Sequence, residues 1–236
     1  MARVIQRDHY QLLLAGCVAQ LIFFALPAPW SRLANPGYLA LGGIMLGTLG
    51  QGWTSNRHSW FNVHLYRATG WAALATGAFW LVTPVEEFIT GVPVAVLWSA
   101  FTVWSAMRLI VLMGQESRVD ANVLRGALAG YLMLGLSGGL LSAVVETVQP
   151  GSFHGVDFTS QSMGGGPAGV WQLNFVRMNY FAFVSLTTTG YGDILPATPM
   201  AQMVSIGLAV AGNTYLAVVM GVLIGRFSAS RAPEDN

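Results

Sequence analysis

Long apolar stretches, separated by short charged segments, dominate the pattern of this chain. One interval without an acidic or basic residue, 158–176, is too polar to span a membrane. Six other such intervals reach the roughly 17–25 residues that a helix needs to cross a hydrocarbon core. They are residues 10–31, 33–56, 68–85, 88–107, 126–145 and 194–225. A further interval, 178–192, is too short to cross and return at about 1.5 Å per residue, so it predicts a re-entrant helix followed by a loop. The pattern therefore predicts an all-α integral membrane protein with six transmembrane helices and one re-entrant helix.

Composition agrees with this class. Of the residues, 54% are hydrophobic and only 9% are charged, and the mean hydropathy is +0.55. Such values are typical of membrane proteins. We find no catalytic grouping of side chains, and we expect no enzyme activity, no resident cofactor and no nucleic-acid partner. The expected surroundings are membrane lipids.

The arginines predict the orientation of the helices. With both termini in the cytoplasm, eight arginines fall on the inner side, Arg108 lies near an inner helix end, and two fall outside, as the positive-inside rule requires. The inner ones are Arg3, Arg7, Arg57, Arg67, Arg118, Arg125, Arg226 and Arg231, and the outer ones are Arg32 and Arg177. Five acidic residues on the outer side, against two arginines, leave a formal −3 there: Glu86, Glu87, Glu146, Asp157 and Asp193. This charge would concentrate cations outside.

The re-entrant interval leads into the run Thr187-Thr188-Thr189-Gly190-Tyr191-Gly192-Asp193. Gly-Tyr-Gly by itself is usually a turn, but the threonines before it and the apolar segments on both sides favour another interpretation. The run resembles the selectivity filter of potassium channels, in which backbone carbonyls replace the ion's hydration shell. From about Asn174 to Ser228, and more loosely from residue 122, the chain resembles the two-helix pore domain of that family. The resemblance implies a homotetramer in which each subunit contributes one filter strand and K⁺ is the transported ion.

The resemblance also assigns roles to residues. Filter residues 188–192 would bind K⁺, chiefly through the carbonyls of 188–191. These residues are Thr188, Thr189, Gly190, Tyr191 and Gly192. Filter support is implied for Tyr180, Phe181, Ser185 and Asp193, and Gly212 stands at the family's inner-helix hinge. Thr189 departs from the family pattern, where valine is usual. Because that position contributes a carbonyl, we expect ion binding to survive.

Five residues of the last helix recur at spacings of three and four and so share one face. They are Ala209, Asn213, Leu216, Met220 and Ile224. If Gly212 is the hinge, this face lines the inner cavity, and Met220 and Ile224 form an apolar gate. The alternative for Asn213 is a bond to a neighbouring helix.

The chain divides at a polar connector into residues 1–115 and 116–236. The second part is predicted to hold an outer helix at about 122–147, a turret at 148–172, a pore helix at about 174–187, the filter at 188–192 and an inner helix at about 199–227. The first part resembles a voltage sensor only in its four helices, because its fourth helix offers Arg108 and no repeat of arginines.

Three local predictions complete the first part. Cys17 should be a buried residue of the first helix. Gly43 and Gly47 form a small-residue motif that favours close helix packing. Residues 54–67 form either a short interfacial helix or a loop.

We therefore expect a potassium-selective channel, not strongly gated by voltage, in a bacterial inner or plasma membrane. One alternative is the ion-translocating subunit of a potassium uptake transporter. Such proteins carry four degenerate filter loops in one chain, whereas Gly-Tyr-Gly occurs once here. Another alternative is a non-conducting regulatory subunit, which the intact filter motif disfavours.

Overall fold

The computed structural model describes residues 2–26, 34–50, 57–82, 88–116, 119–156 and 175–229. Nearly all of these residues are helical. The helices are α1 (Ala2–Ala25), α2 (Ala34–Leu49), α3 (Arg57–Val82), α4 (Phe88–Gly114), α5 (Ala121–Val148), α6 (Phe175–Leu186), α7 (Pro199–Thr214) and α8 (Gly221–Ala229). A π-helical segment, Tyr215–Met220, joins α7 to α8, and β1 (Phe153–His154) pairs antiparallel with β2 (Leu195–Pro196). The small β pair is a departure from the all-α expectation.

Within the described ranges, three helices are long and apolar enough to cross a membrane. They are Val92–Gly114, Ala121–Val148 and Pro199–Ala229. Two apolar helical stretches, His9–Ala25 and Pro36–Leu49, are shorter. The helical membrane class therefore stands, and six crossings remain a prediction.

Helix α3 corrects the prediction for residues 54–67. A single helix begins at Arg57 and continues to Val82, so residues 57–67 are neither a separate interfacial helix nor a loop, while residues 54–56 lie outside the described residues. One buried face runs along it at helical spacing, which explains the continuity. Its buried positions are Val63, Tyr66, Gly70, Ala73 and Gly77.

Helix α5 is the central helix of the fold. The Asp120 carboxylate caps its first turn by accepting from the backbone N–H groups of Asn122 at 2.9 Å and Val123 at 3.1 Å. Five glycines of α5 each lie against a side chain that comes from another helical segment. The pairs are Gly126 with Tyr10, Gly130 with Tyr215, Gly135 with Phe183, Gly138 with Leu208, and Gly139 with Asn179. Because glycine lacks a Cβ, helices from both predicted parts approach α5 closely.

One apolar core joins the two predicted parts of the chain. It extends from Tyr10 and Leu13 on α1 to Leu223 on α8. At the connector between α4 and α5, the Tyr10 hydroxyl donates to a Glu116 carboxylate oxygen at 3.3 Å, and the Arg226 guanidinium donates to the Glu116 carbonyl. The N-terminal helices thus pack directly on the outer helix of their own chain.

Two glycines of α2 do not pack as predicted. An added Cβ at Gly43 or Gly47 would meet no atom within 4 Å, whereas one at Gly42 would lie 2.6 Å from the Trp98 ring. The close helix contact therefore occurs one residue away from the predicted motif, on a different helix face. The prediction for Cys17 is confirmed, since its side chain is buried in the core.

Arg108 lies against an aromatic ring rather than in a row of charges. Its guanidinium carbon is 4.6 Å from the centre of the Tyr66 ring, a cation–π geometry. The Tyr66 hydroxyl in turn shares a 2.8 Å hydrogen bond with the Ser105 hydroxyl. This contact ties Arg108 to α3.

Candidate functional site

Helix α6 coincides with the predicted pore helix to within one residue at each end. Helices usually leave their last carbonyls without partners, but here the following loop supplies them. The N–H groups of Thr187, Thr188 and Thr189 donate to carbonyls of α6, at 2.9, 3.0 and 3.0 Å. The start of the loop is therefore held against the end of the helix by its own backbone.

The loop backbone alternates in handedness. Thr188, Gly190 and Gly192 have positive φ angles of 56°, 59° and 80°, while Thr189 and Tyr191 between them do not. When left-handed and right-handed conformations alternate, peptide units tend to face their N–H groups to one side and their carbonyls to the other. This is the backbone that a carbonyl-lined ion pathway needs.

Thr188 adopts a conformation that the sequence did not predict. We expected Gly190 and Gly192 to supply the left-handed angles, but this threonine supplies one as well, at a cost that L-residues normally avoid. Its hydroxyl donates to the Thr187 carbonyl at 2.7 Å. The bond leaves the oxygen's lone pairs available to a cation.

Two other threonine hydroxyls are hydrogen-bonded to each other, and one of them is also bonded to α6. The Thr187 hydroxyl donates to the Phe183 carbonyl at 2.7 Å and lies 2.8 Å from the Thr189 hydroxyl. Since a hydroxyl has one hydrogen, Thr189 must be the donor to Thr187. Valine, the usual residue at this position, could not make that bond.

The predicted supporting residues contact different partners. The Tyr180 ring is parallel to that of Tyr191, with centroids 6.3 Å apart, and its side chain interacts with the Asp193 carboxylate. Phe181 instead packs on Phe153 of β1, with centroids 4.9 Å apart. The two aromatic residues therefore contact different elements, the loop and β1.

Ser185 links α6 to the inner helix. Its hydroxyl lies 3.3 Å from the Ser205 hydroxyl on α7. Its carbonyl also accepts the Thr188 N–H, so the serine contacts both the loop and α7.

Glu146 has a role that the sequence did not indicate. We counted it among the outer charges, but it is 2% exposed, and its two carboxylate oxygens accept from the N–H groups of Gly151 at 2.8 Å and Phe153 at 2.9 Å. These bonds fix β1, which pairs with β2 directly beyond Asp193. The buried carboxylate therefore shapes the turn outside the loop rather than adding to the surface field.

The turn after α5 also approaches the loop directly. At Gly155, with φ of 84°, an added Cβ would be 2.2 Å from the Asp193 carbonyl oxygen, so only glycine fits. The Arg177 guanidinium donates to the Gly155 carbonyl at 2.7 Å. The Ala197 N–H donates to the Ser152 carbonyl at 2.7 Å.

Gly212 lies where the inner helix meets the end of α6. An added Cβ there would be 2.0 Å from the Leu186 carbonyl oxygen. Three residues later, the Tyr215 hydroxyl donates to the Ala127 carbonyl on α5 at 2.7 Å. Gly212 is therefore a close-contact position, and its predicted hinge role stays a prediction.

The π-helical segment affects the predicted cavity face. A π-helix has more residues per turn than an α-helix, so positions after Met220 are rotated relative to those before Tyr215. Asn213, Leu216 and Ile224 are exposed in the single chain, and Ala209 is partly buried. Met220 is also partly buried and packs against the core. The five residues therefore do not form one uninterrupted α-helical face.

Residues 155–229 match a family model described as an ion channel. The segment is therefore similar to an ion channel domain. A stretch of 48 residues is 35% identical to a voltage-gated potassium channel of Aeropyrum pernix, covering 20% of this chain and 16% of that protein. Together these matches support a potassium channel family. The chain therefore matches only 16% of that relative's length.

Proposed function

We propose that this protein is a potassium-selective channel that conducts K⁺ passively through a homotetrameric filter. The observation that carries the proposal is the alternating backbone of residues 188–192 behind a short helix. The ion channel match and the distant potassium channel relative support it. K⁺ would be held by the carbonyls of residues 188–191, with the Thr188 hydroxyl beside the innermost site.

The exposure of the loop supports the proposed tetramer. Residues 187–193 are exposed in the single chain, so one copy provides a strand and no enclosed path. The family resemblance implies four copies around an axis. We propose six crossings per subunit, with both termini in the cytoplasm of a bacterial cell whose plasma membrane holds the channel.

Weak voltage dependence is part of the proposal. Moving one charge across the whole membrane supplies about 2.3 kcal/mol per 100 mV. Arg108 is the charged residue of the fourth helix, and it is stacked on Tyr66. A fixed single charge cannot produce steep opening.

Flux from liposomes tests the filter assignment. We expect purified protein to release K⁺ down its gradient and Gly190→Ala to slow that release by about fivefold or more, because alanine disfavours the required angle by about 1–2 kcal/mol in each subunit. Gly151→Ala is the matched control, because Gly151 has a similarly positive φ of 84° outside the loop and open space around an added Cβ. Equal flux from Gly190→Ala and the unmodified protein would contradict the filter assignment.

Native mass measurement of the same sample tests the assembly. Four copies per conducting particle are expected. Conduction by a single copy would instead support the transporter alternative.

A further inference from the structure

A buried hydrogen bond joins the N-terminal helices to the helix that carries the filter loop. The Tyr38 hydroxyl on α2 donates to the Asn179 side-chain oxygen on α6 at 3.1 Å. The two residues are 141 positions apart in the chain, and both are buried. Polar groups without water depend on such partners, so this bond constrains where α6 lies.

The N-terminal helices fix the position of Tyr38. Its ring contacts Phe24 of α1, with centroids 5.9 Å apart, and the edge of Trp98 of α4, with centroids 6.5 Å apart. Trp98 itself fills the space left by Gly42 and Gly77. Three helices of the first part therefore determine where the phenol points.

Asn179 is equally confined on the other side of the bond. It lies on Gly139 of α5, where an added Cβ would be 2.3 Å from the asparagine oxygen. The next residue, Tyr180, stacks on Tyr191 of the filter loop with the rings 4° from parallel. A displacement of Asn179 would therefore also move the residue that contacts the loop.

We propose that Tyr38 is a positioning residue for the filter, through which the N-terminal helices hold α6 by way of Asn179. The inference rests on the proposed channel function and adds a role for the first four helices. These helices stabilise the conducting arrangement of the loop by direct packing within one chain. No charge movement is required for this coupling.

The test compares two tyrosines that differ in what they contact. Tyr38→Phe keeps the ring and removes the donor to Asn179. Tyr66→Phe is the matched control, because it removes another buried phenol, whose partners, Met45 and Ser105, belong to the N-terminal helices. We expect Tyr38→Phe to shorten the mean open time of single channels by about threefold to tenfold, the effect of one lost hydrogen bond, and Tyr66→Phe to leave it unchanged.

A double-mutant cycle with Asn179→Leu identifies the partner. If the bond carries the effect, adding Tyr38→Phe to Asn179→Leu should change the open time no further. Additive effects would overturn the proposal, as would equal effects of Tyr38→Phe and Tyr66→Phe.

Amide hydrogen exchange on the assembled protein gives a measurement that does not depend on current. Tyr38→Phe should speed exchange in α6 and at residues 187–193, whereas Tyr66→Phe should not. Unchanged exchange in α6 would overturn the inference even if the channel conducts. An unmodified protein that passes no K⁺ would instead refute the proposed function. The exchange data would still show whether the bond from Tyr38 to Asn179 holds α6 in place.

Discussion

Replacing Gly212 by alanine distinguishes close packing from hinge bending. The new Cβ would lie 2.0 Å from the Leu186 carbonyl oxygen and 2.9 Å from its carbonyl carbon. Both are backbone atoms at the end of α6, so no change of side-chain rotamer relieves the clash. The inner helix must move away from α6, and overpacking of this kind costs about 1–3 kcal/mol.

Thermal unfolding of the purified protein measures this cost. For a chain of this size, each kcal/mol corresponds to about 2–4 °C in Tm, so Gly212→Ala should lower Tm by about 2–12 °C. Gly207→Ala is the control, because Gly207 lies on the same helix and an added Cβ there meets nothing within 4 Å. Its Tm should be unchanged or slightly higher, since alanine favours helix.

The hinge interpretation predicts a different result for the same variant. If Gly212 serves only to bend the helix, the alanine variant should keep its Tm and open less often. A Gly212→Ala protein as stable as the Gly207→Ala control would refute the packing argument.

Three further substitutions test other parts of the account. Glu146→Gln should lower the free energy of unfolding by about 1.5–3 kcal/mol, because an amide cannot accept both N–H groups of the outer turn, and an unchanged Tm would contradict this role. Thr189→Val removes the donor to Thr187 while keeping the carbonyl, so K⁺ conduction should persist. K⁺ should bind more weakly, so the K⁺ concentration that gives half of the maximal thermal stabilisation should rise by about twofold to tenfold. An unchanged concentration would show that the bond between Thr189 and Thr187 does not support K⁺ binding. Arg108→Gln should leave a shallow conductance–voltage curve unchanged, whereas a steep curve that this substitution abolishes would show that Arg108 is a sensor.

Much of the helical arrangement could be predicted from the sequence because it depends on local composition. Helix α5, helix α6 and the helical run from α7 to α8 begin and end within about two residues of the bounds predicted for the outer, pore and inner helices, and their roles stay predictions. Helix α3 was mispredicted because Arg57, His58 and His64 obscured an apolar face at positions 63, 66 and 70. The π-helical segment has no comparable signature in the local sequence.

The contacts that position the loop depend on residues far apart in the chain. Tyr38 and Asn179 each lie in an apolar stretch in which nothing local distinguishes them, and their pairing depends on the packing of five helices, α1, α2, α4, α5 and α6. Glu146 ends an apolar interval, which places it at a helix end but does not show that its carboxylate turns inward to two N–H groups. The left-handed Thr188 was missed because glycine is the residue normally associated with positive φ.

The reversal potential under bi-ionic conditions tests whether the protein selects K⁺ over Na⁺. We consider purified protein in a planar bilayer with K⁺ on one side and Na⁺ on the other. The current should reverse at a potential far from zero, with the sign that flow of K⁺ out of the K⁺ compartment produces. We expect this because the alternating backbone of residues 188–192 is the type that turns carbonyl groups to one side of the loop. A reversal potential near zero, with current carried equally by both ions, would contradict a potassium-selective filter.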